Sequence, residues 1–520
     1  MSTRFFSLCA ALALLAACSQ PAGQTQSGAQ TLGDPVEIDR AWNICFPDTD
    51  PAIPGNFFTD KPSDWTQLKA EAAAGAVGTA LYTSAIDLLH PEEADDWLLD
   101  LGEVHDAARV VINAETAGEL SQTPFRLSVG HLLRPGINLL EVFVTRKQAT
   151  GPAGLCSAVR LYPVYKALPS APEVIAQARR VNDYFMKKYP DPHRVVPFPS
   201  RHRAYEGNIW TRGVYYEGLM ALHAVDPQQR YLDYTMDWGD KFDWNMRNGQ
   251  TLTRNADNYC CAQTYIDMYR IYGQDKMIAN VTKCLENILA TPEAVADWTW
   301  IDAIQMGMPA LIKYGVTMER PEFFEKAWQM YEWARERFLN REEGLWWRDK
   351  DFCPPYTTPN GKNCYWARGN GWVVAALVRV LQELPADDAH RTVYEQDFLD
   401  FCRAIVKYQR ADGTWNPSVA DPDDFGGPEA TGTSLFLYGL AWGINTGRLD
   451  AEAYLPAVTR GWNGLNRVCI HPDGFIGYSQ GSGKEPKEAQ PVTWDRIPDF
   501  EDFGTGCYLL AASEVSKLAK

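Results

Sequence analysis

The sequence predicts a two-part protein, an all-β sandwich over 35–166 followed by an all-α (α/α)6 toroid over 170–520. Three observations carry this. Before Tyr165 apolar and polar residues alternate in short runs broken by Gly, Pro and Asn. After it, apolar residues recur at helical spacing in about twelve stretches. No sequence repeat accompanies those stretches, which favours a closed ring of helical hairpins over an open solenoid.

Ahead of the sandwich, Arg4 precedes an apolar run from Phe5 to Ala17 that is too short to span a bilayer, so 1–17 read as a signal peptide. Leu15, Ala16, Ala17 and Cys18 resemble the lipobox of bacterial lipoproteins. That implies lipidation of Cys18 and an exported, membrane-anchored protein of the periplasm or cell surface. Residues 18–34 are rich in Gln, Ser, Gly and Ala, bury too little to offset their ordering entropy, and are expected to form a tether. No later run is apolar enough to span a membrane, so the lipid is the expected membrane contact.

The sandwich is read from Asp96–Gly102, Ala108–Asn113 and Asn138–Thr145, whose side chains alternate with period two. The run Phe125–Val142 resembles the galactose-binding-like jelly-roll modules that accompany many glycosidase domains; such modules brace the catalytic domain as often as they bind sugar. Helices are expected from Pro172, then near 212–224, 230–246, 258–272, 275–290, 302–315, 321–339, 368–385, 390–408, 430–445, 451–466 and 504–518.

A formal net charge of -17 leaves no basic stripe for phosphates and excludes nucleic acid as a partner; an anionic ligand would have to be met by locally placed Arg. Of 12 cysteines, Cys9 leaves with the signal and Cys18 takes the lipid. Among the rest, Cys45 with Cys156 and Cys353 with Cys364 are plausible disulfides, each within one domain. His and carboxylates do not cluster at ligand spacing, so neither metal nor other cofactor is expected.

In a helical toroid the N-terminal ends of the inner helices surround a central pocket, and four stretches concentrate polar and aromatic residues at such positions: Trp210–Met220, Asn255–Tyr265, Trp298–Pro309 and Trp366–Trp372. A lone Asp257 or Asp302 would read as a helix cap. Two together, near Trp298, Trp300, Trp366 and Trp372, supply acid or base groups and flat apolar faces for a pyranose ring. Arg368, between Trp366 and Trp372 in a Gly-containing turn, reads either as a structural ion pair or as a fork for a substrate carboxylate.

These four stretches, with the late run Gly427–Asn445, resemble the unsaturated uronyl hydrolases of glycoside hydrolase families 88 and 105. The resemblance implies an (α/α)6 barrel acting on anionic, lyase-generated oligosaccharides that carry a C4=C5 double bond in their terminal uronic acid. Such enzymes hydrate the vinyl ether; the resulting hemiketal opens and releases the neighbouring sugar. It further implies that Asp302 protonates C4 and then serves as base for the water attacking C5. Asp257 would hold sugar hydroxyls or the water and keep Asp302 protonated. Trp366, Arg368 and Trp372, with Tyr215 as a weaker aromatic candidate, would form the sugar pocket. Two positions depart from the family pattern, Arg348 where many members have His and Gln305 where they have Phe; Arg348 becomes a candidate for carboxylate recognition. Two other readings stay open, a conventional inverting glycosidase on the same toroid and a non-catalytic glycan-binding lipoprotein.

Overall fold

A computed structural model describes residues 30–519 apart from 39–40, 66–67, 69–74, 193–196, 199–202, 205–206, 491–492 and 494–501. The signal peptide, Cys18 and the tether up to residue 29 lie outside the described residues. The end of the expected tether is strand: Gln30–Leu32 (β1) pairs with Lys166–Val164, its backbone bonded while its side chains stay exposed.

The N-terminal part comprises two principal antiparallel sheets. One orders β1, Arg160–Lys166, Asp96–Asp100 and Arg126–Ser128, with Val36–Glu37 also on the second of these. The other runs Asn56–Thr59, Trp42–Asp50, Val77–Leu88, Gly136–Arg146, Ala107–Ile112, Glu115–Leu120. Along Gly136–Arg146 the alternation is visible: Leu140, Val142 and Val144 are buried while Ile137 and Leu139 face out. The buried faces of both sheets meet in one core containing Trp42, Ile44, Tyr82, Leu99, Val110, Val142 and Leu161.

Twelve long helices follow among the described residues: α1 (Ala171–Lys188), α2 (Trp210–Val225), α3 (Gln229–Lys241), α4 (Ala262–Tyr272), α5 (Asp275–Ala290), α6 (Asp302–Thr317), α7 (Glu322–Phe338), α8 (Ala367–Glu383), α9 (Arg391–Ile405), α10 (Ala430–Asn445), α11 (Ala451–Gly464) and α12 (Asp502–Leu518). The even-numbered ones pack in a closed ring, α2–α4–α6–α8–α10–α12 and back to α2, and each odd-numbered helix backs the ring from outside. Inner helices are apolar nearly all round, as burial on both sides requires; α10 is buried from Ala430 to Gly443. The outer helices keep one wet face.

The ring closes where α12 meets α2, and glycines permit the approach. A Cβ on Gly218 would lie 2.7 Å from the Cα of Gly506. Beside them Arg212 Nε lies 3.4 Å from Asp502 Oδ2, both side chains 1% exposed. The helix expected over 230–246 stops at Lys241 because the chain turns back through left-handed Asp243 and Trp244, laying the Trp244 indole where Gly239 has no side chain. The expected helix over 258–272 is a single turn, Ala256–Tyr259, followed by α4.

The proposed disulfides are corrected: Cys45, Cys156, Cys353 and Cys364 are all free thiols. Cys45 occupies the outward register of its strand, whereas Cys156 Sγ faces the carbonyls of Ala153 and Gly154. Cys353 Sγ is directed at the carbonyls of Arg337 and Asp349, and Cys364 is buried. The two parts of the chain are joined by Arg467 Nη1 to Asp95 Oδ1 (2.7 Å) and by Asn463 Nδ2 to the Lys166 carbonyl (2.9 Å).

Candidate active site

A cavity of about 380 Å3 opens at the N-terminal ends of α2 and α6, beside the Ala256–Tyr259 turn that leads into α4. Asp257, Asp302, Arg348 and Arg247 line it together with Trp210, Trp300, Met306 and the loop Ser482–Lys484, and Glu488 completes the rim. Among the described residues, none from the β-rich part lines it.

Asp302 is the first residue of α6 and only 9% exposed. It sits where the helix N-terminus favours a carboxylate. A hairpin of Leu339–Asn340 with Leu345–Trp346, turned at left-handed Gly344, delivers Arg348 to it. The Arg348 carbonyl accepts from Ile301 N (2.9 Å), and Trp300 bridges Asp349. Arg348 Nε then donates to Asp302 Oδ2 (3.1 Å) and Nη1 to Asp349 Oδ2 (2.6 Å). Asp257 is held by the Asn255 side chain, which accepts its backbone N–H at 3.0 Å.

The two carboxyls shape each other. Burial, then the charge of Asp302, pushes the Asp257 carboxyl up to about 7, with Arg348 and Arg247 pulling the other way. Burial also raises Asp302, opposed first by Arg348 and then by Arg368. Carboxyls coupled through their charges titrate as a pair, and the charge of one favours the proton on the other. Burial favours the protonated form of both carboxyls, and the Arg348 hydrogen bond opposes it at Asp302.

The other expected residues divide. Trp366 and Arg368 are buried behind the cavity and shape its loop. Trp366 Nε1 donates to Gln480 Oε1 (2.8 Å), and Arg368 donates through Nη1 to the Gln480 carbonyl and through Nη2 to that of Gly481 (2.7 Å). The Arg368 guanidinium lies 4.5 Å from the Trp366 ring centroid and is 1% exposed. Trp372 stands behind Trp210, edge to face at 6.1 Å. Tyr215 is remote from the cavity, its hydroxyl donating to Asn182 of α1 (2.9 Å). Gln305 turns into the ring interior, its Nε2 on Glu217 (2.8 Å).

Sequence reasoning missed Arg247, Lys484 and Glu488 as cavity residues. Trp210 was visible as the opening residue of the first polar-aromatic stretch. The 480–488 loop carries no periodic signal, and only the Gln480 contacts reveal its place.

A paired carboxyl site with three cations and flanking indoles, at the mouth of a helical toroid, is the equipment of a glycosidase. The Glycosyl Hydrolase Family 88 profile matches residues 177–519. The chain is 31% identical over 336 residues, 59% of its own length and 84% of the relative's, to the unsaturated 3S-rhamnoglycuronyl hydrolase of Formosa agariphila. It superimposes with a TM-score of 0.61 and 32% identity on a family 88 glycosyl hydrolase from Bacteroides vulgatus, covering 67% of this chain and 99% of that one. A protein described as a polysaccharide lyase matches with the same TM-score at 30% identity, over 67% of this chain and 98% of its own. The chain belongs to Glycosyl Hydrolase Family 88.

Proposed function

We propose that the protein removes the 4,5-unsaturated uronic acid from the non-reducing end of lyase-generated oligosaccharides. The observation that carries this is the Asp257–Asp302 pair in a cavity whose cations, Arg348, Arg247 and Lys484, suit a sugar carboxylate. Asp302 protonates C4 of the vinyl ether and the developing charge is quenched at C5 by water. Asp302, now a carboxylate, takes the water's proton. The hemiketal so formed opens to a 5-keto-4-deoxyuronate and the free neighbouring sugar. Trp300 and Trp210 offer their faces to the rings. The name of the Formosa agariphila relative favours a rhamnose-linked unsaturated uronide as substrate.

Purified protein added to lyase digests of anionic polysaccharides should make the absorbance of the conjugated double bond fall, with release of a 5-keto-4-deoxyuronate. A rise in that absorbance on undigested polymer would instead mark β-elimination, and activity confined to saturated aryl glycosides would mark a conventional inverting glycosidase. Binding without turnover of any unsaturated glycan would leave a glycan-binding lipoprotein.

The N-terminal sequence supports export and lipidation at Cys18, which replacement of Cys18 by Ala tests by moving the protein from the membrane to the soluble fraction. The β-rich part is read as a galactose-binding-like jelly roll that braces the toroid, a role favoured by the Arg467–Asp95 and Asn463–Lys166 contacts.

A further inference from the structure

Arg348 hydrogen-bonds the carboxyl that the hydration chemistry needs protonated. Its hold is incomplete. Elsewhere in the chain an arginine grips a carboxylate by its whole Nε/Nη2 edge: Arg254 on Asp297 at 2.8 and 2.6 Å, and Arg179 on Asp226 at 2.6 and 2.5 Å. Arg348 gives Asp302 the Nε alone, at 3.1 Å, while Nη1 is anchored on Asp349 at 2.6 Å. Its Nη2 makes no hydrogen bond among the described residues, and the side chain is 19% exposed in the cavity wall. A ligand carboxylate can fill that edge at two points where Asp302 fills it at one.

The charged groups around this contact are few. Asp302 faces Arg348 and, more deeply, Arg368; Asp257 faces Asp302, Arg348 and Arg247; and Arg348 faces Asp302 and Asp349. Lys484 and Glu488 line the same cavity.

We propose that Arg348 is a substrate-operated clamp: before substrate binds, its Nε hydrogen bond favours the carboxylate form of Asp302, and the incoming uronate carboxylate takes over its Nε/Nη2 edge, so that a proton passes from Asp257 to Asp302. The inference rests on the hydration reading above. One O–H bond on Asp257 breaks and one on Asp302 forms, leaving Asp257 as the carboxylate and the pair's total charge unchanged. The acid is thereby armed only when a carboxylate-bearing sugar is in place, which makes Arg348 a determinant of specificity as well as of positioning.

The test compares an unsaturated uronyl disaccharide with its uronate methyl ester, which cannot claim the guanidinium. With wild type, the high-pH limb of kcat for the ester should lie about one pH unit or more below that for the acid, since a cation left on Asp302 lowers its proton affinity. Position on the pH axis is independent of the ester's intrinsic reactivity. Arg348→Gln should turn the ester over about tenfold faster than wild type does at neutral pH, because the carboxyl is no longer held ionised. An arginine that only binds the carboxylate predicts the opposite pattern: coincident limbs for acid and ester, and Arg348→Gln no faster than wild type on the ester. That pattern overturns the clamp, and if the variant fails to fold, the wild-type limbs alone decide. Wild type inactive on both compounds would sink the hydration reading itself, and the clamp with it.

Discussion

Replacing Asp257 by Asn tests the shared proton directly. Asp257 holds its proton up to about 7 because it is buried beside Asp302. A raised carboxyl is competent as an acid below its folded pKa and loses that competence as pH rises through it, so the wild-type enzyme should lose activity through the neutral range. The Asn side chain keeps the volume and carries no transferable proton. Asp302 is then left as the only carboxyl of the pair: Arg348 and Arg368 still oppose the burial that raises it, and the neighbouring carboxylate that would favour its proton is gone. The protonated fraction of Asp302 at pH 7 therefore falls, and kcat should drop by about a hundredfold, the lower end of the losses typical of impaired general acid catalysis. The assay is loss of the double-bond absorbance, with kcat measured at half-unit pH steps. Activity at pH 7 within about threefold of wild type, with an unmoved limb, would refute the sharing of a proton between the two carboxyls.

Three further outcomes are expected. Arg368→Gln breaks the guanidinium contacts to the Gln480 and Gly481 carbonyls and the stack on Trp366; it should cost roughly 2–4 kcal/mol of stability in chemical denaturation and raise KM through a loosened Ser482–Lys484 loop. Gly218→Ala forces a methyl group onto the Gly506 backbone and should destabilise by about 1–3 kcal/mol or more, read as a lowered Tm with unchanged kcat in the surviving fold. Because the cysteines of the described residues are all free, adding reductant should leave Tm unchanged within about 1 °C, whereas loss of a native disulfide typically costs about 2–5 kcal/mol.

Much of the scaffold was legible in the sequence, since an inner helix such as α10, apolar on every side, and an outer one such as α5, with a single wet face, are both written in residue order. Asp257 and Asp302 were legible for the same reason: a carboxyl at a helix start next to indoles is a local pattern. Arg368 shows where that legibility stops. Its neighbours along the chain, Trp366 and Trp372, suggested a sugar pocket, yet its guanidinium reaches away to the carbonyls of Gln480 and Gly481, more than a hundred positions later. Cys45 failed likewise, because strand register and not spacing decides which face a thiol takes.

The seam between α2 and α12 makes the toroid a structure whose first hairpin waits for its final partner. Arg212 and Asp502, joined across 290 positions, belong to segments synthesised at opposite ends of the helical region. Until α12 arrives, the face of α2 that carries Val214 and Gly218 has no cover on that side. Joining such distant segments carries a large loop-closure entropy and delays the rewarding contacts. The nascent chain is therefore expected to stay vulnerable to proteases and aggregation until α12 has emerged, and a nonsense mutation just before Asp502 should leave no folded remnant of the ring, however complete the other hairpins are.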